Sequence, residues 1–231
     1  MTRGASDFST DDAKMLTRHR TLALVRQCPN LWSDGRLLLD WMELSAKKDP
    51  ALGLLITQHA LDPGRFIGVS REQEVIRFNR EFFCDEVQGK RAFYIHNELG
   101  LELFDLDAFP RLGVLVFDGF TSIANVGLAE QLDLLFRFAH ARARRNGQML
   151  LVINTVQRPN RALKLDQGLL LYRNFLKERL GVVVSDKQLD RYQSEGRFFS
   201  MILHRLLFTT PGVPVPQPVQ DEATVVVVSN P

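Results

Sequence analysis

Short runs of apolar residues alternate with amphipathic stretches along most of this chain. Three of the runs, Phe66–Val69, Val114–Phe117 and Met149–Ile153, are compact and end at polar or turn residues. Runs of this kind are typical of strands buried on both faces of a parallel sheet. Between them, stretches such as 128–145 carry apolar residues at helical spacing. Repeated strand, helix, strand units predict right-handed crossovers and a doubly wound, mostly parallel α/β sheet.

The C-terminal third departs from this alternation. A helix predicted over 166–180 is followed by two apolar stretches, Gly181–Val184 and Phe198–Phe208, with no helix between them. Strands that follow each other without a crossover pair antiparallel. We therefore expect seven strands in a three-layer α/β/α arrangement that ends in an antiparallel strand pair.

A chain of 231 residues is long enough for one domain with tails. Residues 1–12 are polar and predict a flexible N-terminal arm, which leaves 13–210 as the α/β domain. Four prolines stand within 211–220, and proline cannot join the interior of a sheet. We therefore expect 211–231 to be a flexible, Pro-rich tail.

Charge and composition exclude several classes of function. Lys and Arg number 29 against 27 Asp and Glu, so the net charge of +2 does not indicate a protein that coats nucleic acid. The two cysteines and five histidines lack metal-ligand spacing, and no metal site is expected. No apolar run approaches the ~18 residues of a membrane span, and the N-terminus lacks the apolar core of a signal peptide. These features predict a cytoplasmic protein.

Several segments resemble the class I S-adenosylmethionine-dependent methyltransferases. Pro63–Ser70 with Glu72–Arg80 resembles the second strand of that family and the helix after it. Val114–Gly119 resembles its fourth strand, and Asn146–Ile153 resembles the turn into its fifth strand. The resemblance covers roughly 36–208. It implies that family's sheet, S-adenosylmethionine as cofactor and methyl transfer to an acceptor, with nucleic acid as one candidate.

The resemblance also implies roles for polar residues at strand ends, where ligands of open α/β sheets bind. Asp118 would orient the nucleophile as the catalytic residue. Substrate would be bound by residues at the ends of the fourth and fifth strands: Gly119, Phe120, Asn154 and Thr155. The cofactor would be bound by residues at the ends of the first three strands: Asp40, Ser70, Glu72 and Asn97. Capping and turn roles are the alternative at each position.

The predicted cofactor loop departs from the family pattern. With Leu37–Asp40 as the first strand, the loop is Trp41–Asp49, which contains no glycine. Ser70 stands where the family has an acidic residue that binds the ribose. A helix running to Lys47 fits the same segment nearly as well. These departures support an alternative function, a catalytically inactive module that has lost the cofactor and acts through a protein partner or as an oligomer.

Arginines crowd the end of the long helix predicted over 128–145. Arg142, Arg144 and Arg145 complement the helix dipole if this end is solvated. The alternative interpretation is contact with the phosphate backbone of a nucleic acid.

Overall fold

The computed structural model describes twelve segments of the chain. They are 12–44, 54–55, 58, 60, 65–70, 73–77, 93–96, 109–122, 126–157, 165–193, 200–216 and 225–229. The helices are α1 (Asp12–Arg26), α2 (Val126–Asn146) and α3 (Leu165–Leu180), with short helical pieces at 54–55 and 73–77 and a 3-10 helix at Asp186–Gln188. The strands are β1 (Trp32–Ser33), β2 (Arg36–Leu37), β3 (Asp40–Leu44), β4 (Phe66–Ser70), β5 (Phe93–His96), β6 (Leu112–Ser122), β7 (Gln148–Gln157), β8 (Leu189–Gln193), β9 (Ser200–Thr209) and β10 (Val226–Ser229).

One mixed sheet organises the protein, in the order β10-β9-β7-β6-β3-β4-β5, with β8 also paired to β9. Strands β3 to β7 are mutually parallel, and β9 runs antiparallel to β7. The predicted doubly wound, mostly parallel sheet with a C-terminal antiparallel pair is confirmed. Strand β3 lies between β4 and β6, so the chain winds outward to β5 and then crosses back to β6. The strand order reverses beside β3, and this point is where ligands of such sheets bind.

The outer edge of β9 is shared by two strands. β8 pairs with Ser200–His204, and β10 pairs with Leu206–Thr209. Val226 and Val228 of β10 are buried, because alternate residues of the strand face the core. Four residues of the predicted tail thus form an eighth strand of the sheet. The flexibility of the rest of the tail and of the N-terminal arm stays a prediction.

The first parallel strand lies three residues later than the sequence indicates. Leu37 belongs to the short β1–β2 hairpin, whose turn uses the positive φ angles of Asp34 (51°) and Gly35 (77°). Residues 41–44 pair instead with β4, and 40–43 pair with β6. Trp41 and Met42 are therefore strand residues packed on opposite faces of the sheet. The predicted glycine-free loop cannot begin before residue 45, which lies outside the described residues.

The first strand of the C-terminal antiparallel pair also lies later than predicted. Residues 181–185 form no regular element, and Val183 is 75% exposed. The strand is β8, which begins at Leu189 and pairs antiparallel with β9. Gly181 takes a φ of 68° and ends α3, so the valines after it form the connection rather than the strand.

The sheet is buried on both faces. Apolar residues of α1 pack on one face against Trp41, Val116 and Val152. Helices α2 and α3 cover the other face, which presents Met42 and Leu151. Successive residues of one strand thus pack in different cores. Because both faces of the parallel strands are buried, their sequences are continuous apolar runs.

Gly147 joins α2 to β7 at a position where a side chain does not fit. Its φ is 82°, and an added Cβ would lie 1.9 Å from the Nδ2 atom of Asn30. That Nδ2 donates to the carbonyl of Asn146 at 3.0 Å. We expect Gly147→Ala to lower the free energy of unfolding by about 2–3 kcal/mol, from left-handed strain and a lost hydrogen bond.

Gly181→Ala is the matched control, because Gly181 has a φ of 68° but nothing within 4 Å of an added Cβ. Gly181→Ala should lower the free energy of unfolding by only about 1 kcal/mol, from the conformational strain alone. Urea denaturation of both variants measures the difference. Equal losses would show that the contact with Asn30 contributes nothing.

Candidate functional site

The carboxyl ends of the parallel strands bring several predicted residues to one level of the sheet. Glu43 of β3 lies in register with Gly68 of β4 and Val116 of β6. Two residues further, about 7 Å along the strands, are Ser70 beside His96 and Asp118 beside Asn154. We call this side of the sheet the carboxyl edge. Four strands thus place polar residues at the same level, around the point where the strand order reverses.

The predicted substrate-binding positions lie together on β6 and β7. Gly119 is in register with Thr155, one position beyond the Asp118 and Asn154 pair. Asn154 is 2% exposed and Thr155 is 1% exposed. The register of β6 and β7 shifts after Gly119, and Phe120 lies in that irregular part of β6. An irregularity beside a ligand edge is a common way to end regular pairing and redirect side chains.

Of the predicted cofactor-binding residues, the structure describes Asp40 and Ser70. Ser70 ends β4 at the carboxyl edge and is half-buried. Glu72 and Asn97 lie outside the described residues, so their roles stay predictions.

Asp40 lies at the opposite edge of the sheet, contrary to the prediction. It is the first residue of β3, it pairs with Leu112 at the start of β6, and its N–H donates to the carbonyl of Arg111. The level of Asp118 is about 20 Å away along the strands. Burial raises the pKa of Asp40, while Arg111 and Arg65 act to lower it. Because β3 starts later than expected, Asp40 begins the strand instead of ending it, and it cannot share a ligand with Asp118.

Glu43 is the acidic residue that β3 does carry to the carboxyl edge. It is fully buried and forms an ion pair with Arg18 of α1. The indole Nε1 of Trp41 donates to its other carboxylate oxygen at 3.4 Å. The sequence holds one signal for it, a single acid within the otherwise apolar segment Trp41–Leu44. A carboxylate in a buried strand requires a partner, and that partner comes from a helix 25 residues earlier.

A second group of charges ties α1 to the C-terminal strand pair. Arg205 of β9 is 1% exposed and contacts Asp190 of β8 at 2.7 Å. Its Nε donates to the hydroxyl of Thr21 and its Nη2 to the carbonyl of Thr17. Arg20 binds the other oxygen of Asp190 at 3.0 Å. Helix α1 is thus held across the face of the sheet by charges on β3, β8 and β9.

A small cavity lies between α1 and the sheet. Its volume is about 10 Å³, enough for a single water molecule. Its walls are Thr17, Arg18, Thr21, Trp41, Val116, Val152, Asn154 and Leu203. This cavity is therefore too small for a ligand larger than water.

Other candidate groups contribute no reactive site within the described segments. No cluster of three or more His, Cys, Asp or Glu residues placed to hold a metal occurs among them. Cys28 is a buried free thiol whose pKa is raised by burial to about 12, so it stays protonated at neutral pH. None of the helices that the structure describes is long and apolar enough to cross a membrane.

The arginine cluster at the end of α2 is only partly available to a partner. Arg142 is 2% exposed, and its guanidinium lies 4.9 Å above the ring of Phe138. It cannot contact a phosphate backbone as predicted, because its position on the helix faces the core. Arg144 and Arg145 are exposed.

Comparisons with known proteins found structural similarity alone. No family model and no curated protein matches the chain. A magnesium protoporphyrin IX methyltransferase from Synechocystis PCC 6803, solved with bound S-adenosylmethionine, is 12% identical with a TM-score of 0.44, covering 84% of this chain and 78% of that one. A precorrin-6y C5,15-methyltransferase from Geobacter metallireducens GS-15 is 15% identical with a TM-score of 0.44, over 86% and 91% of the two chains. A putative O-methyltransferase from Klebsiella pneumoniae is 14% identical with a TM-score of 0.48, over 86% and 83%.

Proposed function

We propose that this chain binds S-adenosylmethionine at the carboxyl edge and transfers its methyl group to an acceptor that approaches the ends of β6 and β7. One observation supports this function above the others. Polar residues of β4 and β5 on one side of β3, and of β6 and β7 on its other side, lie at one level, two residues beyond the buried carboxylate of Glu43, where the strand order reverses. Open α/β sheets bind their ligands at this location.

The residue types at the carboxyl edge suit the charges of this cofactor. A sulfonium and an ammonium group favour a negative partner, and the carboxylate of Glu43 would serve as that partner by exchanging its contact with Arg18 for the ligand. Ser70 supplies a hydroxyl at the end of β4, whereas Asn154 on β7 belongs to the proposed acceptor-binding residues. Glu72 and Asn97 complete the proposed cofactor-binding set by their place in the sequence.

Methyl transfer from this cofactor requires little acid or base catalysis by the protein. When bound, the cofactor supplies a methyl group already activated by its sulfonium. The protein then has to hold an acceptor nucleophile in line with that group. Asp118 is the residue we assign to this orientation, with Gly119, Phe120 and Thr155 around the acceptor.

Calorimetric titration with S-adenosylmethionine and S-adenosylhomocysteine tests the proposal. We expect micromolar dissociation constants for the wild type and a loss of about tenfold or more in Glu72→Ala. Ser70→Ala should weaken binding about fivefold, the effect of one hydrogen bond. Asp40→Ala is the control: it removes a carboxylate from the same sheet at the opposite edge and should leave binding unchanged.

Absence of heat at about 1 mM of either ligand would refute cofactor binding. A loss of binding in Asp40→Ala equal to that in Glu72→Ala would refute the carboxyl edge as the site. Circular dichroism of each variant confirms that the fold is retained.

A module without cofactor is the second candidate function. One observation favours it: Arg18 and Trp41 already contact the two oxygens of Glu43, and only about 10 Å³ remains beneath α1. In this case the protein acts through its surface. The same titration separates the two functions, because the module should show neither heat nor a thermal shift.

A further inference from the structure

We propose that the amino edge of the sheet, opposite the candidate site, binds the phosphodiester backbone of a nucleic acid. The binding surface consists of six arginines that we call the arginine rim: Arg26, Arg36, Arg65, Arg111, Arg144 and Arg145. This inference stands independently of the cofactor.

The topology of the sheet aligns four of these arginines. Arg65 directly precedes β4, and Arg111 directly precedes β6. Arg36 lies four residues before β3, and Arg145 three residues before β7. Because parallel strands all begin at the same edge, these residues come together there. The four strands are consecutive neighbours at about 4.8 Å spacing, so the row extends roughly 15 Å.

Local contacts hold the rim together. Nη1 of Arg65 donates to the carbonyl of Leu38, and Nη2 of Arg111 approaches the same oxygen at 3.4 Å. Two guanidinium groups thus meet at one backbone carbonyl. The side chain of Asn146 donates to the carbonyls of Pro110 and Leu112, at 3.3 and 3.2 Å. These contacts hold the end of α2, which carries the arginines at 144 and 145, beside the start of β6.

Arg26 extends the rim at the end of α1. Its guanidinium lies 5.2 Å above the ring of Trp32, the first residue of the hairpin that also carries Arg36. Asn30, close to Trp32 in the chain, donates to the carbonyl of Asn146 at 3.0 Å. The hairpin and the end of α2 are thereby joined, and the rim is one surface.

The charge of the rim is not balanced by the described residues around it. None of the six arginines forms an ion pair with another residue that the structure describes. Of the described acids, Asp34, which is exposed, lies in the hairpin turn before Arg36, and Asp40, which is half-buried, lies close enough to Arg111 and Arg65 for their charges to oppose the rise that burial causes in its pKa. Counting these described side chains alone, six positive and two negative charges leave +4 on the rim. Cations gathered in this way favour a polyanion, which releases its counterions on binding.

The composition of the rim favours nucleic acid over a membrane surface. All six cations are arginines, whose planar guanidinium pairs with phosphate through two hydrogen bonds. Membrane-binding surfaces combine cations with exposed apolar side chains. Of the exposed large apolar residues that the structure describes, Leu170, Leu171 and Val183 lie on α3 or after it, and Leu16 lies about 15 Å along α1 from Arg26. Only Val215, next to the Pro214 carbonyl that accepts from Gln148, lies near the rim, and one apolar residue is not such a surface.

Fluorescence anisotropy with a labelled DNA duplex of about 20 base pairs, at KCl concentrations from about 50 to 200 mM, tests the inference. The test variant is the triple Arg36→Ala, Arg111→Ala and Arg145→Ala, all exposed. The matched control is the triple Arg137→Ala, Lys177→Ala and Arg179→Ala, exposed on α2 and α3. Both triples remove three positive charges, so they change the net charge equally.

We expect the rim triple to weaken duplex binding at least about tenfold and to reduce the slope of log K against log salt by about 2–3. The control triple should weaken binding less than about threefold. Equal losses in the two triples would overturn the inference, as would tighter wild-type binding to vesicles with about 30% phosphatidylserine than to DNA. Circular dichroism and urea denaturation verify that both triples are folded. Duplex binding should be the same with and without about 1 mM S-adenosylmethionine, so this result does not depend on cofactor binding.

Discussion

Replacing Glu43 with leucine is expected to lower the free energy of unfolding by about 3–5 kcal/mol. The substitution removes the carboxylate partner of Arg18, whose side chain is only 8% exposed. A buried guanidinium that loses its counter-charge keeps its desolvation cost without the compensating attraction. The indole N–H of Trp41 loses an acceptor as well. Chemical denaturation in urea measures the loss.

The double variant Arg18→Met and Glu43→Leu should recover most of this stability. Replacing both members of a buried ion pair with apolar residues of similar size is often close to neutral. The Arg179 and Asp133 pair is the control, because its side chains are 55% and 33% exposed at 3.4 Å. Its double-mutant cycle should give a coupling below about 1 kcal/mol. A coupling for Arg18 and Glu43 as small as that of the control would contradict the importance of burial.

The same double variant separates the structural role of Glu43 from its proposed role in ligand binding. It should be folded and stable because no charge is left alone. If Glu43 also binds the cofactor, the double variant loses cofactor binding while its stability is kept. Unchanged binding in this stable variant would limit Glu43 to fixing α1.

Acidification to about pH 4.5 is expected to cost about 2–3 kcal/mol of folding stability through His204 alone. His204 is 1% exposed and stacks on Tyr172 of α3 at 4.9 Å. Neither ring nitrogen, nor the hydroxyl of Tyr172, has a hydrogen-bond partner among the described residues. Burial, followed by the positive charges of Arg173 and Arg205, lowers the pKa of His204 to about 3.

The direction of the pH effect follows from this lowered pKa. Above the ordinary histidine pKa of about 6.5, the imidazole is neutral in both folded and unfolded protein. Below this pH, His204 is protonated in the unfolded chain but stays neutral in the folded protein. The free energy of unfolding therefore falls as the pH falls towards 3. His204→Phe keeps the ring stacked on Tyr172 and should remove this part of the acid sensitivity. His19→Gln, on the exposed side of α1, should leave it unchanged.

Unfolding free energies at about pH 7 and pH 4.5 for the three proteins measure the effect. Equal acid sensitivity in the wild type and His204→Phe would contradict the prediction. It would show that the imidazole is protonated, or hydrated, in the folded protein.

Local sequence pattern predicted the elements of this fold well where apolar runs were long. Helix α2, predicted over 128–145, spans Val126–Asn146 and is followed by Gly147 with a positive φ. Errors came where a short apolar run fits several structures. Leu37 to Leu39 fits a strand or a hairpin equally, and only pairing with β4 and β6 starts β3 at Asp40. The valines at 182–184 fit a strand, but they pair with no strand among the described residues.

The level of three predicted site residues along the sheet could be predicted because their strands start within two residues of the predicted starts. Ser70, Asp118 and Asn154 share that level, although β6 continues to Ser122 and β7 to Gln157. Asp40 was placed at the wrong edge by the three-residue error in β3, and Glu43 was missed for the same reason. The partners of Glu43 and Asp190 come from α1, far away in the chain, and no local pattern could indicate them.

The sequence by itself determined the alternation of strands and helices, the antiparallel end of the sheet and the polar residues at the ends of β4, β6 and β7. These features follow from hydrophobic period and turn chemistry, which act over a few residues. The tertiary structure alone decided the register of β3, the burial of Glu43, His204 and Arg142, and the row of arginines at the amino edge. Each of these depends on which elements become neighbours, and contacts across 25 to 188 residues leave no local pattern in the sequence.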